Sequence, residues 1–332
     1  MTEPRTIAVI GSNAFSGADF IDLLLADPAH RVLAISRSPE KSPVFLAYRR
    51  RPAAAVTFHR IDLNQDLPRL LALLDAERPA AVVNFAAQSE VAPSWEHPDH
   101  WYRTNVLALA ALAQALARRD YLRRYVQISS PEVYGTCEGV VTEDAPLNPS
   151  TPYAASKAAG DLALLPLVKQ FDFPLVTIRA TNVYGAGQQL WKIIPRTVIY
   201  LKLGRTIPLH GGGRAVKSYI HIRDVSRGEQ AALERGRPGA VYHLSPDRGV
   251  AVRDVVRLIC ERMGKAFDAC TETVAERPGQ DKAYVIDSSR AREEFGWAPT
   301  VSLEAGIDET VRWVEDHWDA IQRESLEYVH RA

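Results

Sequence analysis

The first 180 residues alternate short apolar runs with segments of helical apolar spacing, and few folds accept that alternation. Residues 6–10 form an apolar run closed by Gly11, and residues 15–25 then repeat apolar side chains at helical intervals. Similar runs recur at 31–36, 57–63, 80–86, 125–129 and 174–179. Helical patterns separate them up to about Ala76, over 104–118 and over 152–170. Near-continuous apolar strands joined through helices predict an α/β protein with a doubly wound parallel sheet. After Ala180 the rhythm changes. Gly, Pro and basic residues gather between 185 and 213, with strands expected at 218–222 and 240–244. Helices are expected near 194–203, at 252–263 and at 303–321.

Composition removes several classes of function. Lys+Arg and Asp+Glu both number 40, so no net field gathers nucleic acid or an anionic membrane, and no partner of either kind is expected. An anionic ligand has to be held by a local site. There is no stretch of 18 uncharged apolar residues and no signal-peptide pattern at the start, so a cytoplasmic location is expected. Three cysteines at unrelated spacings suit a reducing compartment, and nine scattered histidines show no ligand pairing, so no metal is expected.

The turn after the first strand reads Gly11-Ser12-Asn13-Ala14-Phe15-Ser16-Gly17. A Gly-rich turn at that place lets a pyrophosphate approach backbone amides and a helix N-terminus. Ala14 replaces the middle glycine and is the smallest substitute. The other reading is an ordinary strand-to-helix turn. At the end of the second strand stands Ser36-Arg37-Ser38, where an acidic residue would bond the ribose hydroxyls of NAD. An arginine flanked by hydroxyls suits a 2′-phosphate, so NADP is expected, with NAD as the alternative. Asp62-Leu63 ends the third strand, where a carboxylate can meet the adenine, and Ala86-Ala87 ends the fourth, where small side chains let a cofactor near the backbone. Residues 1–180, with returns near 218–246, are therefore expected to form a Rossmann-type dinucleotide-binding domain. Residues 181–332 are expected to form mainly a smaller α/β substrate-binding lobe.

The chemistry is carried by Ser129-Ser130-Pro131-Glu132-Val133-Tyr134-Gly135 followed by Tyr153 and Lys157. Tyr153 and Lys157 are four apart and share a helix face. An ammonium beside a phenol favours the phenolate, a general base for an alcohol. The plainer alternatives are a buried tyrosine with a surface lysine, and a Glu132 that only caps its loop.

With these motifs placed, the chain resembles the extended short-chain dehydrogenase/reductase superfamily, and within it the nucleotide-sugar 4,6-dehydratases and epimerases. Further marks are Asn84-Phe85-Ala86-Ala87-Gln88-Ser89, Thr104-Asn105-Val106, Arg179-Ala180-Thr181-Asn182-Val183-Tyr184-Gly185, Tyr219 through Val225, and Arg277 through Asp281. The resemblance implies that Ser130 bonds the sugar O4 beside Tyr153, that Lys157 bonds the nicotinamide ribose, and that Glu132 removes the C5 proton. It places Gln88, Asn105 and Ala180 beside the cofactor. Gln88, Ser89, Asn182, Arg196, Lys217 and Arg277 would meet a nucleotide-diphosphate sugar. It implies a homodimer through a four-helix bundle built from the 104–118 and 152–170 helices. In the dTDP-glucose 4,6-dehydratases an aspartate that protonates the departing C6 hydroxyl precedes this glutamate; here the slot is Pro131, which has no proton to give. The GDP-mannose enzymes have serine there. The expected reaction is 4,6-dehydration to a 4-keto-6-deoxy sugar nucleotide. The alternatives are 4-epimerisation and decarboxylation of a uronic acid nucleotide.

Overall fold

The structure, a computed structural model, describes residues 5–51, 55–137, 139–276 and 283–332. Six strands run in chain order: β1 (Arg5–Ile10), β2 (His30–Ser36), β3 (Val56–Arg60), β4 (Ala81–Asn84), β5 (Arg124–Ile128) and β6 (Leu175–Ala180). A seventh, Val241–Leu244, pairs with β6 and completes an all-parallel sheet. Its order is Val241–Leu244, β6, β5, β4, β1, β2, β3, so the direction of winding reverses between β1 and β4. A crevice opens at such a reversal, outside the carboxyl ends of the strands. Ile7, Ala8, Val9 and Ile10 are all buried, as expected of a strand covered by helices on both faces.

One layer under the sheet is built from helix α1 (Phe15–Leu24) and the helix Ile222–Arg235, the other from Leu67–Glu77, Leu109–Leu116 and Pro152–Phe171. A third core, with Val198, Val256, Ile259 and Val314 at its centre, joins the helices Ile193–Leu203, Val252–Arg262 and Leu303–Asp316. Short strands fringe it: Asn182–Tyr184 with Tyr219–His221, and Ile207–His210 with Thr271–Val274.

Several sequence expectations shift. The third strand stops at Arg60, because Asp62 turns the chain by accepting from the Asn64 amide at 2.8 Å. The 303–321 helix breaks at His317 into Leu303–Asp316 and Trp318–Ile321. The expected 104–118 helix begins as a π-helical turn, Arg103–Ala108, before the α-helix Leu109–Leu116. The helix Pro152–Phe171 crosses close to this turn. A Cβ built on Gly160 would stand 2.4 Å from the Asn105 carbonyl oxygen, so only a glycine lets the helix Pro152–Phe171 lie this near the turn.

A pair of acids, Glu229 and the partly buried Asp19, lies between the two helices on the first face. Glu229 is fully buried, and among the described residues neither of its carboxyl oxygens has a hydrogen-bond partner. Burial pushes its carboxyl well above the usual range, and the neighbouring Asp19 adds to the effect. Asp19, whose Oδ2 accepts from Ser226 Oγ at 2.6 Å, is itself pushed up to about 6 by burial. Carboxyls raised in the folded state stabilise fully below the unfolded carboxylate range. That contribution is lost as pH rises through the folded values. In urea unfolding across a pH series from the ordinary carboxylate range upward, the stability difference between Glu229→Gln and the parent should therefore grow with pH. Glu229→Gln should be about 1–3 kcal/mol more stable than the parent at the upper end and no more stable at the lower. A difference independent of pH contradicts this account.

Candidate active site

The crevice begins at the turn after β1. Gly11 has φ of +90°, and a Cβ there would stand 2.7 Å from the Ala86 amide nitrogen, so the turn lies backbone to backbone against the end of β4. Helix α1 starts directly after it; among the described residues its N-cap Ala14 makes no side-chain cap bond and its first turn holds no acid. Free amides and the positive end of the helix dipole face the crevice. Ser12 Oγ is buried in the turn without a hydrogen-bond partner among the described residues. These features fit a pyrophosphate group.

A cavity of about 290 Å³ continues from that turn. Ala14, Phe15 and Ser16 line one end, Ser130, Glu132, Tyr153 and Lys157 its floor, and Ala87, Ser89, Ala180 and Asn182 its walls. Two of the floor side chains ride on the helix Pro152–Phe171, whose start is set by Thr151 accepting from the Ala154 amide at 3.1 Å. Ser130 and Glu132 come from the turn after β5, where Ser130 Oγ accepts from the Glu132 amide at 3.2 Å. The Ser130 hydroxyl lies close enough to the Tyr153 phenol to favour its ionised form.

The electrostatics differ from the sequence expectation. The Tyr153 hydroxyl is raised, not lowered: burial is the largest cause and the Glu132 charge adds to it. The Lys157 Nζ donates to the Ile128 carbonyl at 2.7 Å. Burial lowers the Lys157 ammonium to about 8. A buried network supports the floor. Arg179 pairs with Asp161 at 2.8 Å, Asp161 accepts from Ser129 Oγ at 2.6 Å, and Arg179 also donates to the Tyr134 hydroxyl. Tyr134 is in turn 2.8 Å from His243 Nε2. Nothing in the sequence singled out Asp161 or His243.

Other candidates lie outside the cavity. Asn105 does not reach it: its amide donates to the Gln88 carbonyl (3.0 Å) and to Ser156 Oγ (2.9 Å), and its Oδ1 accepts from the Gln88 amide (2.8 Å). It clamps the loop after β4 to the tyrosine helix. Asn13 holds the loop after β2 through Ser38 Oγ at 3.0 Å and the Pro39 carbonyl at 2.8 Å. Gly17 serves packing, since a Cβ there would meet the Gly11 carbonyl oxygen at 2.5 Å. Ser36, Arg37, Asp62, Leu63 and Ala86 lie along the ends of β2, β3 and β4, beside the cavity and not lining it. Arg196 sits over the Tyr200 ring and Lys217 in a short strand with Val250, both outside the lining, and Arg277 falls outside the described residues. Gln188, Gln189 and Lys192 line the cavity and were missed. Their signal was a run of amides and a lysine just after the Gly185-Ala186-Gly187 turn.

The family model described as GDP-mannose 4,6 dehydratase matches residues 9–310. A dTDP-glucose 4,6-dehydratase of Streptomyces antibioticus is 32% identical over 96% of this chain and 95% of its own length. The crystal structure of DesIV, a dTDP-glucose 4,6-dehydratase from Streptomyces venezuelae with NAD bound, superposes with a TM-score of 0.88 at 31% identity, covering 95% of this chain and 98% of that one. A UDP-glucuronic acid 4-epimerase from Bacillus cereus, solved with UDP-glucuronic acid and NAD, gives 0.85 at 25% identity, over 94% of this chain and 99% of that one. The chain belongs to the GDP-mannose 4,6 dehydratase family, within the extended short-chain dehydrogenase/reductase superfamily.

Proposed function

We propose that this chain is a nucleotide-sugar 4,6-dehydratase that converts a nucleotide-diphosphate hexose, of the dTDP or GDP type, to its 4-keto-6-deoxy form. The observation that carries the reading is the joint lining of one cavity by Ser130, Glu132, Tyr153 and Lys157, continuous with the turn at Ala14–Ser16. On this reading residues 1–180, with the returns near 218–246, hold NAD or NADP, and residues 181–332 mainly hold the sugar nucleotide. Ser36, Arg37 and Ser38 stand where a 2′-phosphate of NADP would lie. Relatives of known structure bind NAD.

When bound, the oxidised dinucleotide supplies a hydride acceptor for the C4 alcohol and returns the hydride at C6. Tyr153 receives the O4 proton, and Ser130 holds the same oxygen by hydrogen bond. The positive ring of an oxidised dinucleotide, if held in this cavity, would offset the burial that raises the phenol. A ketone at C4 acidifies the C5 hydrogen, which Glu132 removes. Pro131 has no acidic proton, so the proton captured by Glu132 goes on to the C6 oxygen, which leaves as water; C5 then takes a proton from solvent as C6 regains the hydride, and Tyr153 releases the O4 proton to solvent. Lys157 orients the ribose that faces Tyr153. The net change is loss of one water.

Incubation with dTDP-glucose and GDP-mannose in deuterated water tests this directly. Wild type should yield a product lighter by one water, with deuterium at C5. Glu132→Gln should still oxidise C4, leaving the cofactor reduced, while dehydration drops at least about a hundredfold. Tyr153→Phe should lose cofactor reduction itself by a similar factor. Unchanged mass with inverted C4 in wild type would make the chain an epimerase, and loss of carbon dioxide when a UDP-uronic acid is supplied in place of these sugars a decarboxylase.

The same reading includes a homodimer through a four-helix bundle. Leu107 is 67% exposed and Leu162 54%, on the two neighbouring helices that run along the outer face. Tyr102 and Leu165 extend the apolar strip. Burying such a strip against a second copy removes apolar area from water. Wild type should sediment as a dimer, and Leu107→Glu with Leu162→Glu as a folded monomer. A monomeric wild type refutes the bundle.

A further inference from the structure

Arg37 and Gln88 stand on opposite banks of the crevice, one past β2 and the other past β4. The segment 322–332 is fastened to both. Arg37 donates to the carbonyl oxygens of Ala332 at 2.6 Å and Arg331 at 3.1 Å, and Gln88 Nε2 donates to the Arg331 carbonyl at 2.7 Å. Two ring contacts hold the approach. The His330 ring lies 5.1 Å from Trp101 at 17°, with its Nε2 2.8 Å from His100 Nδ1. Tyr328 meets Trp191 edge-on at 5.6 Å. The segment therefore crosses the adenosine end of the crevice while the cavity over Tyr153 stays open.

A guanidinium reads a phosphate monoester by directing paired N–H groups at two of its oxygens. In this chain both terminal nitrogens of Arg37 are directed at main-chain oxygens of Arg331 and Ala332 instead. Those oxygens also bring partial negative charge to the place where a phosphate dianion would sit. A ribose with a free 2′-hydroxyl needs neither the pair nor the charge.

Resting on the reading of the crevice as a dinucleotide cleft, we propose that the segment 322–332 is a strap that sets cofactor preference. With Arg37 occupied by the strap carbonyls, the cleft favours the dinucleotide without a 2′-phosphate. Releasing the strap frees Arg37 and admits the phosphorylated one. The residue pattern Ser36-Arg37-Ser38, which alone points to NADP, is overridden by an element about 290 residues away in sequence.

Calorimetric titration of the full chain with NAD and with NADP, without substrate, tests the proposal. Three proteins are compared: wild type, the strap-loosened Tyr328→Ala/His330→Ala variant, and the same variant carrying Arg37→Ala. Wild type should bind NAD at least tenfold more tightly than NADP. The loosened variant should narrow that ratio by tenfold or more through tighter NADP binding, and the added Arg37→Ala should remove the gain. If the double variant does not fold, either single substitution should show a smaller shift of the same sign. A wild type that prefers NADP, or a loosened variant that keeps the wild-type ratio, overturns the strap. Failure of folded wild type to bind either dinucleotide overturns the cleft reading beneath it.

Discussion

Much of this site rests on one buried ion pair. Asp161 and Arg179 meet beneath the cavity floor, with side chains only 8% and 5% exposed. Removing two charges from water is costly, and removing one partner of such a pair is costlier than replacing both. Here the cost is shared by a network. Ser129 and Tyr134 bond the same two residues, and His243 closes the far side from the edge strand Val241–Leu244. That network ties β5, β6, the edge strand and the tyrosine helix into one unit. The Ser130–Glu132 turn stands on it, so the spacing between Glu132 and Tyr153 follows from charges that touch no substrate.

Helix–strand alternation was readable because parallel strands covered on both faces are nearly continuous apolar runs, and each of the first six expected strands overlaps an observed one, with the third and fourth ending early. The floor of the cavity was readable too, because Tyr153 and Lys157 are four apart and Ser130 and Glu132 sit at a strand end. The sign of the phenol's shift was not. Sequence spacing shows that a cation is near in the chain, but not that the Ile128 carbonyl holds that cation or that burial outweighs it. The roles of Asn13 and Asn105 escaped for a similar reason. Both look like ligand-facing amides in sequence, and both direct their hydrogen bonds at protein loops.

Contacts between distant segments were the least legible. Nothing periodic marks residues 322–332, yet their carbonyls reach Arg37 and Gln88. Gln188, Gln189 and Lys192 enter the cavity only because the strand Asn182–Tyr184 turns the chain back across its mouth. Lys192 is oriented there by Glu90 at 2.8 Å, and Glu90 also accepts from Trp191 at 3.0 Å. Such pairs join segments about a hundred residues apart, which local propensity does not encode.

The missing side chain at Gly160 reaches further than its surroundings indicate. It lies one turn beyond Lys157 and two beyond Tyr153 on the same rod, and its partner across the crossing is the very turn whose Asn105 grips the loop after β4. A dense interior passes displacement along rather than absorbing it. A single methyl group at 160 would lever the whole rod outward by roughly an ångström, carrying phenol and ammonium away from the serine and glutamate they face. The alignment of the reacting groups is thus kept at a point that no ligand ever visits.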